Sequence, residues 1–276
     1  MAILVNKHSR VILQGGDDGS GPGCSAAWRA GGSAGRSRFH AGVAYGDPTE
    51  HLPDGLPLFN SVREAKAWAA ATVSVICVPP AHAAGAIEEA VEAGIGLVLC
   101  MTEGVPAPDL RRVQHRLRGS STRLLAGCSG VVTPGEIHLG AIPGHGLQRG
   151  RIGVLSSSPI LISLAATQLA TYGLGESTVV ALGHGGAEEV AGLRPVELLR
   201  LFEADPGTDA VLVAGSLGAD ADTECAHWIE QWMRKPVVMF RPGLGVRPKN
   251  ASVTRDPGAM GELVAAAVQP AYLPFD

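Results

Sequence analysis

At 276 residues, the chain is long enough for one large domain or two ordinary domains, each with its own hydrophobic core. Almost half of the residues are apolar and only 17% are charged, which excludes an intrinsically disordered chain. The net charge of −4 argues against a nucleic-acid surface and against an anionic-membrane surface, because both need a basic face.

Short apolar runs alternate with helix-like stretches along the first half of the chain. The strand predicted at Val11–Leu13 runs directly into a glycine-rich segment, and Ala83–Ala93 has the apolar spacing of a helix. Strands that alternate with crossover helices predict a parallel sheet that is covered on both faces. The other elements predicted in this half are two strands and a helix, at Val73–Val78, Leu97–Met101 and Asp109–Leu117.

After Arg123 the chain is rich in glycine and proline for about 25 residues, and we predict an irregular linker there. Alternation then resumes, which predicts a second doubly wound α/β domain. The predicted domains are residues 1–146 and 147–276. The strands and helices predicted in the second domain are Ile152–Leu155, Ile160–Ala170, Thr178–Leu182, Pro195–Phe202, Ala210–Val213, Cys225–Met233 and Pro236–Phe240.

The cysteines and the apolar runs predict a cytoplasmic protein. Five scattered cysteines without a C-x-x-C pair are typical of reduced thiols and not of a zinc site, and no metal site is predicted. No apolar run approaches the ~18–20 residues that a membrane span requires. The start of the sequence has no basic region followed by an apolar stretch, so we expect no signal peptide.

A glycine-rich segment, Gln14–Gly23, follows the first predicted strand. A glycine-rich turn in this position normally directs backbone N–H groups and a helix dipole at a phosphate, although such glycines also form ordinary turns. Asp17 and Asp18 place carboxylates where the anion would lie. At ~5 Å and an effective dielectric constant of ~20, each would oppose a phosphate charge by up to ~3 kcal/mol before screening by salt. Contact with a ribose hydroxyl is the alternative role for these aspartates.

Short segments spread over nearly the whole chain carry a family resemblance. Gly55–Ala65, which reads G-L-P-L-F-N-S-V-R-E-A, is close to the pattern G-L-P-V-F-N-T-V-x-E-A. Further matching segments are Ala2–Val5, Val11–Gly15, Val75–Pro80, Thr102–Pro106, Val132–Glu136, Ile142–His145, Phe202–Pro206 and Lys235–Val238. Through these segments the chain resembles the α subunits of succinyl-CoA synthetase, of malate–CoA ligase and of the related citrate-cleaving enzymes.

The resemblance implies a Rossmann-like CoA-binding-type domain followed by a flavodoxin-like ligase domain, both with parallel sheets. In that family a histidine of the second domain is phosphorylated at the ATP site of a β subunit, the phosphoryl group passes to a carboxylic acid, and the CoA thiol then attacks the acyl phosphate. The implied partner is a β-like ATP-grasp subunit in a homo- or hetero-oligomer, and the implied cofactor is CoA or another adenine nucleotide. The cofactor-binding positions implied by the resemblance are Gly15, Gly16, Asp17, Asp18, Gly19, Ser20, Gly21, Val43, Pro79 and Cys128.

The first domain departs from the family pattern where CoA would bind. The family's loop reads like G-x-T-G-x-x-G-T, but Asp17 stands at the threonine and Asp18 at the following glycine. The family's V-T-P-G-K segment offers CoA a lysine, and the matching residue here is Asp47. The family's P-N-C-x-G segment reads A-G-C-S-G here, so that the asparagine is absent but the cysteine, Cys128, is present. We therefore expect CoA binding to be weakened.

The second domain departs further. The family's S-R-S-G-T-L reads S-S-S-P-I-L here, so that Ser157 replaces the arginine and Pro159 the glycine, and Ser216 stands where the family has the glutamate that orients the histidine. The histidine-bearing G-H-A-G-A segment is missing after Phe240, and no histidine follows His227. The phosphohistidine relay is therefore not expected to run in its usual form.

Two residues are candidates for a rescued activity. His184 lies in G-H-G-G-A, which resembles the missing segment locally, and is either a displaced phosphate acceptor or a surface histidine. Cys128 is either a nucleophile or a buried thiol. Three functions stay open: a ligase-like pseudoenzyme that acts as a binding, scaffold or regulatory subunit, an active acid–CoA ligase α subunit using His184, and a nucleotide-binding module.

Overall fold

The computed structural model describes residues 3–15, 39–44, 56–144, 146–183, 192–243 and 247–268. Within these ranges, two mostly parallel β-sheets are flanked by helices, which confirms the predicted α/β class. No helix in these ranges is long and apolar enough to cross a membrane.

The first sheet has six strands in the order β3-β2-β1-β4-β5-β6, and every neighbouring pair is parallel. Strands β1, β4 and β5 are buried along their whole length, as expected for a parallel sheet with helices on both faces. The strand order reverses between β1 and β4, and in open parallel sheets ligands bind at the carboxyl edge beside such a reversal. The elements are β1 Val11–Gln14, β2 Phe39–Val43, β3 Leu58–Phe59, α1 Val62–Ala69, β4 Val73–Ile76, α2 Pro80–Glu92, β5 Leu97–Cys100, α3 Ala107–Leu117 and β6 Arg123–Ala126.

The second sheet has seven strands in the order β13-β12-β11-β9-β10-β7-β8. Its strands are parallel except for the β7–β8 hairpin, which adds to the edge of the sheet in antiparallel pairing with β10. The elements are β7 Gly130–Thr133, β8 Ile137–Gly140, β9 Arg149–Ser156, α4 Pro159–Thr171, β10 Glu176–Ala181, α5 Pro195–Ala204, β11 Ala210–Ala214, α6 Ala219–Trp232, β12 Val237–Phe240, β13 Ala251–Thr254 and α7 Met260–Val268.

The prediction of an irregular linker after Arg123 is wrong, because this stretch forms three strands. Strand β6 completes the first sheet, and the β7–β8 hairpin belongs to the second. Gly130 and Gly140 face each other across this hairpin so closely that a Cβ on either would collide with backbone atoms of the opposite strand. These glycines therefore allow two strands of a sheet to approach each other closely, whereas the glycine-rich composition of the segment alone suggests a loop. The division of the chain into residues 1–146 and 147–276 stays a prediction.

One apolar cluster contains buried residues from both sheets. Val75 and Leu99 of the first sheet belong to the same cluster as Leu139, Leu155 and Phe202 of the second half. Because a close-packed core resists relative displacement, this shared cluster fixes one sheet against the other.

Candidate functional site

The carboxyl edge of the first sheet carries a sharp turn at Gly15. Gly15 follows β1 with φ of +88°, and its N–H donates to the carbonyl oxygen of Val43 at 3.0 Å. A Cβ at this position would collide with the carbonyl oxygen of Cys77. Only glycine suits this position, because the backbone passes close to a neighbouring strand in a conformation that other residues rarely adopt.

Helix α2 begins beside that turn and is held there by a buried glutamine. Pro79 is the residue before the helix, and no side chain caps the helix N-terminus. The Gln14 Nε2 donates to the carbonyl oxygen of Ala86 at 3.0 Å, and its Oε1 accepts from the Ser74 hydroxyl at 2.7 Å. The N-terminus of α2, which has no side-chain cap, therefore lies at the edge where β1, β2 and β4 end, and such a place is usual for an anion.

Cys128 lies on the same edge, after β6, but it is not an activated nucleophile. Its side chain is 2% exposed, and the thiol donates to the carbonyl oxygen of Cys100 at 3.8 Å. Burial raises the pKa of the Cys128 thiol, so the reactive thiolate is disfavoured. Of the two readings of Cys128, the structure supports the buried thiol.

The structure thus brings together the predicted cofactor-binding residues that it describes. Gly15, Val43, Pro79 and Cys128 all follow or end strands at the carboxyl edge of the first sheet. In the part of the chain that the structure describes, no group of three His, Cys, Asp or Glu side chains could hold a metal ion. The remaining predicted site residues lie outside the described residues: Gly16, Asp17, Asp18, Gly19, Ser20, Gly21 and His184.

Serine side chains form hydrogen bonds at the carboxyl edge of the second sheet. The Ser156 hydroxyl donates to the carbonyl oxygen of Ala214 at 2.6 Å and so ties the ends of β9 and β11 together. Ser158 caps α4 by accepting from the Leu161 N–H at 3.4 Å, and Pro159 occupies the first helical position. The helix predicted at Ile160–Ala170 is confirmed, and its proline is tolerated because a proline at N1 gives up an N–H that would have no partner inside the helix.

Ser216, which is itself exposed, contacts a buried ion pair at this edge. The Ser216 hydroxyl donates to Asp222 Oδ2 at 2.7 Å, and the Leu217 N–H donates to Asp222 Oδ1 at 2.9 Å. The Arg241 guanidinium forms an ion pair with the same carboxylate. The exposed fractions of the Arg241 and Asp222 side chains are only 6% and 10%, and the Nε and Nη2 atoms of Arg241 are buried without a hydrogen-bond partner. The carboxylate that fixes Ser216 is thus itself held by a buried cation.

Sequence reasoning missed Arg241 and Asp222. The available signal for Arg241 was a charged residue directly after Val237–Phe240, a strand that is buried along its length. Asp222 lies in the acidic first turn of α6, where a carboxylate is ordinarily attributed to the helix dipole alone.

The carboxyl edges of the two sheets meet. The Ser129 N–H donates to the carbonyl oxygen of Ala181 at 2.9 Å, which joins the segment after β6 to the end of β10. Gly183 lies so close to Gly127 that a Cβ on Gly183 would collide with the Gly127 carbonyl oxygen. The carboxyl edges of the two sheets are therefore direct neighbours.

Two α/β units with neighbouring carboxyl edges are typical of a protein that binds ligands between its sheets. Comparison with known proteins shows which class this one belongs to. Residues 32–104 match the CoA-binding domain family. The chain is 39% identical over 251 residues to the succinate–CoA ligase [ADP-forming] α subunit of Aquifex aeolicus, covering 90% of this chain and 80% of that protein. It is 36% identical over 249 residues to the corresponding subunit of Staphylococcus aureus, with the same coverage.

Solved structures show the same fold at lower identity. ATP citrate lyase from Methanothrix soehngenii, solved in complex with citrate and coenzyme A, superposes with a TM-score of 0.76 at 17% identity, over 99% of this chain and 52% of that chain. The apo dinucleotide-forming acetyl-coenzyme A synthetase 1 of Ca. Korarchaeum cryptofilum has a TM-score of 0.63 at 22% identity, over 84% of this chain and 50% of that one. The chain belongs to the family of succinate–CoA ligase α subunits, as the sequence resemblance implied.

Proposed function

We propose that this acid–CoA ligase α subunit has lost the phosphohistidine relay and acts as a binding or regulatory subunit. The observation that carries the proposal is the cluster of Ser216, Asp222 and Arg241 at the carboxyl edge of the second sheet. The resemblance aligns Ser216 with the histidine-orienting glutamate. Here the Ser216 hydroxyl donates to Asp222, which is already paired with a buried arginine. A hydroxyl committed in this way does not replace a free carboxylate that orients an imidazole.

The short connection from β12 to β13 supports the same proposal. Parallel neighbouring strands usually need a crossover of a dozen or more residues, commonly with a helix. Here β12 ends at Phe240 and its parallel neighbour β13 begins at Ala251. The missing histidine segment would lie between these strands, so the brevity of the connection agrees with its deletion.

We further propose that this chain binds CoA more weakly than the other members of its family do. The match to the CoA-binding domain family begins at residue 32, after the glycine-rich loop. It therefore supports the domain as a whole but not the loop that carries Asp17 and Asp18. Their carboxylates oppose the phosphates of CoA for the Coulombic reason given above.

The partner we propose is a β-like ATP-grasp subunit. The tagged full chain, purified from its native cells, is expected to bring down such a subunit. The recovered complex is expected to show no ATP-dependent formation of acyl-CoA from succinate, malate or citrate. A complex that forms acyl-CoA at a rate comparable to an active ligase would refute the loss of the relay. A chain that stays strictly monomeric in light scattering and recovers no partner would refute the subunit role.

A relocated relay through His184 is the second candidate, and one contact favours it. Gly183, the residue before His184, lies against Gly127, where the two carboxyl edges meet. The residue before His184 is thus fixed next to the place where a ligand from the first sheet would reach the second. Acyl-CoA formation that disappears in His184→Ala but persists in His115→Ala, on the surface helix α3, would establish this alternative.

A further inference from the structure

A cavity of about 600 Å³ lies at the amino ends of β9 and β10, on the edge of the second sheet opposite to the candidate site. Its wall is formed by the segment before β1, the β7–β8 turn, the first residues of β9 and β10, and the turn after α5. Its volume falls within the range of small-molecule sites. Neither the resemblance nor the proposed function assigns a role to it.

Glu176, the first residue of β10, lines this cavity and has an unused oxygen. The residue is 1% exposed, and its Oε2 accepts from the Gln148 N–H at 2.9 Å. Its Oε1 is buried and has no hydrogen-bond partner. A buried carboxyl oxygen without a partner is rare in folded proteins and is a reason to look for a missing donor.

The other acids of the wall already have donors. Asp205 accepts from the Thr208 hydroxyl at 2.8 Å and from the Gly207 N–H at 3.2 Å. Glu136 accepts from the Lys7 N–H at 3.2 Å and lies 3.7 Å from the Arg149 guanidinium. Glu176 is therefore the acid of this wall whose hydrogen bonding is incomplete.

The acidic and basic side chains of the cavity wall differ in burial. Glu176, whose Oε1 has no hydrogen-bond partner, is buried, whereas the Arg149 side chain is 77% exposed and Lys7 is also exposed. Arg151 is neutralised by the Asp209 carboxylate at 2.5 and 2.6 Å. The rim carries two exposed cations, Lys7 and Arg149, against the single carboxylate of Glu136. A cationic group is thus favoured at the inner end and an anionic group at the rim.

We propose that this cavity binds a small zwitterion, with its primary ammonium on Glu176 and its carboxylate towards Arg149 and Lys7. An ammonium supplies the donor that Glu176 Oε1 lacks, and a charge-assisted hydrogen bond of this kind is stronger than a neutral one. The basic rim favours a ligand that also carries a carboxylate over a simple amine. The proposal does not depend on the state of the phosphohistidine relay.

Affinity for the zwitterion should rise with pH. Burial raises the pKa of Glu176 to about 7, and only the ionised carboxylate pairs with an ammonium. The binding-competent fraction is then about one tenth at pH 6 and about nine tenths at pH 8, so the apparent affinity increases about tenfold between them. The charged and titratable groups that share the cavity wall with Glu176 are Lys7, His8, Glu136, Arg149, Arg151 and Asp205.

Isothermal titration calorimetry on the full chain tests the proposal. The probes are glycine, β-alanine and 4-aminobutyrate as zwitterions, with butyrate and n-butylamine as matched ligands that carry one charge. We expect at least one zwitterion to bind tenfold or more tightly than both singly charged ligands, and its affinity to fall about tenfold from pH 8 to pH 6. Glu176→Gln should abolish this pH dependence, whereas His8→Gln, a control for histidine titration, should keep it.

Arg149→Gln provides a variant that does not disturb the interior. It should weaken binding of the zwitterion, because one of the two cations that face its carboxylate is removed, and leave n-butylamine binding unchanged. Absence of binding by every zwitterion, equal binding of butyrate and 4-aminobutyrate, or unchanged binding in Arg149→Gln would overturn the proposal. These measurements decide it even if Glu176→Gln does not fold.

Discussion

Breaking the buried ion pair between Arg241 and Asp222 should strongly destabilise the second domain. The Asp222 carboxylate accepts from Arg241, from the Ser216 hydroxyl at 2.7 Å and from the Leu217 N–H at 2.9 Å. Because both charged side chains are at least nine-tenths buried, solvent screens them little. Asp222→Ala leaves a buried guanidinium without a counter-ion, and removal of one partner of such a pair costs about 3–5 kcal/mol. Urea unfolding should show this loss in the free energy of unfolding.

An exposed ion pair made by another acid of α6 provides the control. Glu224 contacts Arg194 at 2.7 Å, but these side chains are 39% and 53% exposed. Glu224→Ala should therefore cost no more than about 1 kcal/mol. The double variant Arg241→Met with Asp222→Leu leaves no charge buried and should recover most of the stability lost in Asp222→Ala. If Asp222→Ala costs as little as Glu224→Ala, the role given to the buried pair is wrong.

Three further predictions follow from other parts of the chain. Burial raises the pKa of Glu176 from 4.5 to about 7, so the folded protein holds this proton more tightly than the unfolded chain does. Stability should therefore fall by up to about 3 kcal/mol as pH rises from 4.5 through 7, and urea unfolding at pH 5 and pH 8 should show that Glu176→Gln removes this fall. Asp17→Thr combined with Asp47→Lys should raise CoA affinity at least about tenfold in low-salt calorimetry, because two repulsive contacts are removed, and unchanged affinity would count against the electrostatic explanation. Gly183→Ala should cost about 1–3 kcal/mol in thermal unfolding, because its Cβ collides with the carbonyl oxygen of the residue that follows β6. Gly243→Ala, where a Cβ meets nothing within 4 Å, should be nearly neutral, and equal effects of these two alanine variants would contradict the close approach.

The α/β fold could be predicted because buried parallel strands leave a strong pattern. Val73–Ile76 and Leu97–Cys100 are short, wholly apolar or nearly so, and are followed by helices, as the sequence indicated. The hairpin at Gly130–Gly140 could not be recognised in this way. Its glycines were interpreted as turn formers, whereas they allow two backbones to approach closely, and this depends on partners that lie elsewhere in the chain.

The candidate site was predictable only in part, for a similar reason. Gly15 was found because a glycine-rich turn after a strand is a local signal, whereas Pro79 came from the family resemblance. Arg241 and Glu176 were missed because their importance comes from burial and from unpartnered atoms, which only the folded chain reveals. The resemblance to known ligases pointed to Ser216, because Ser216 stands where the family has a glutamate. It did not point to Asp222, whose carboxylate the Ser216 hydroxyl contacts.

The loss of the phosphohistidine relay is tested most directly by labelling with ATP. The full chain, in complex with its co-purified β-like subunit, is incubated with γ-labelled ATP and analysed under alkaline conditions, which preserve phosphohistidine. The succinate–CoA ligase α subunit of Aquifex aeolicus with its own β subunit is assayed in parallel. We expect no label on this chain, because the histidine-bearing segment, the orienting glutamate and the arginine of the family pattern are absent together. Label that appears on the wild-type chain and disappears in His184→Ala would contradict the account and establish a relocated histidine.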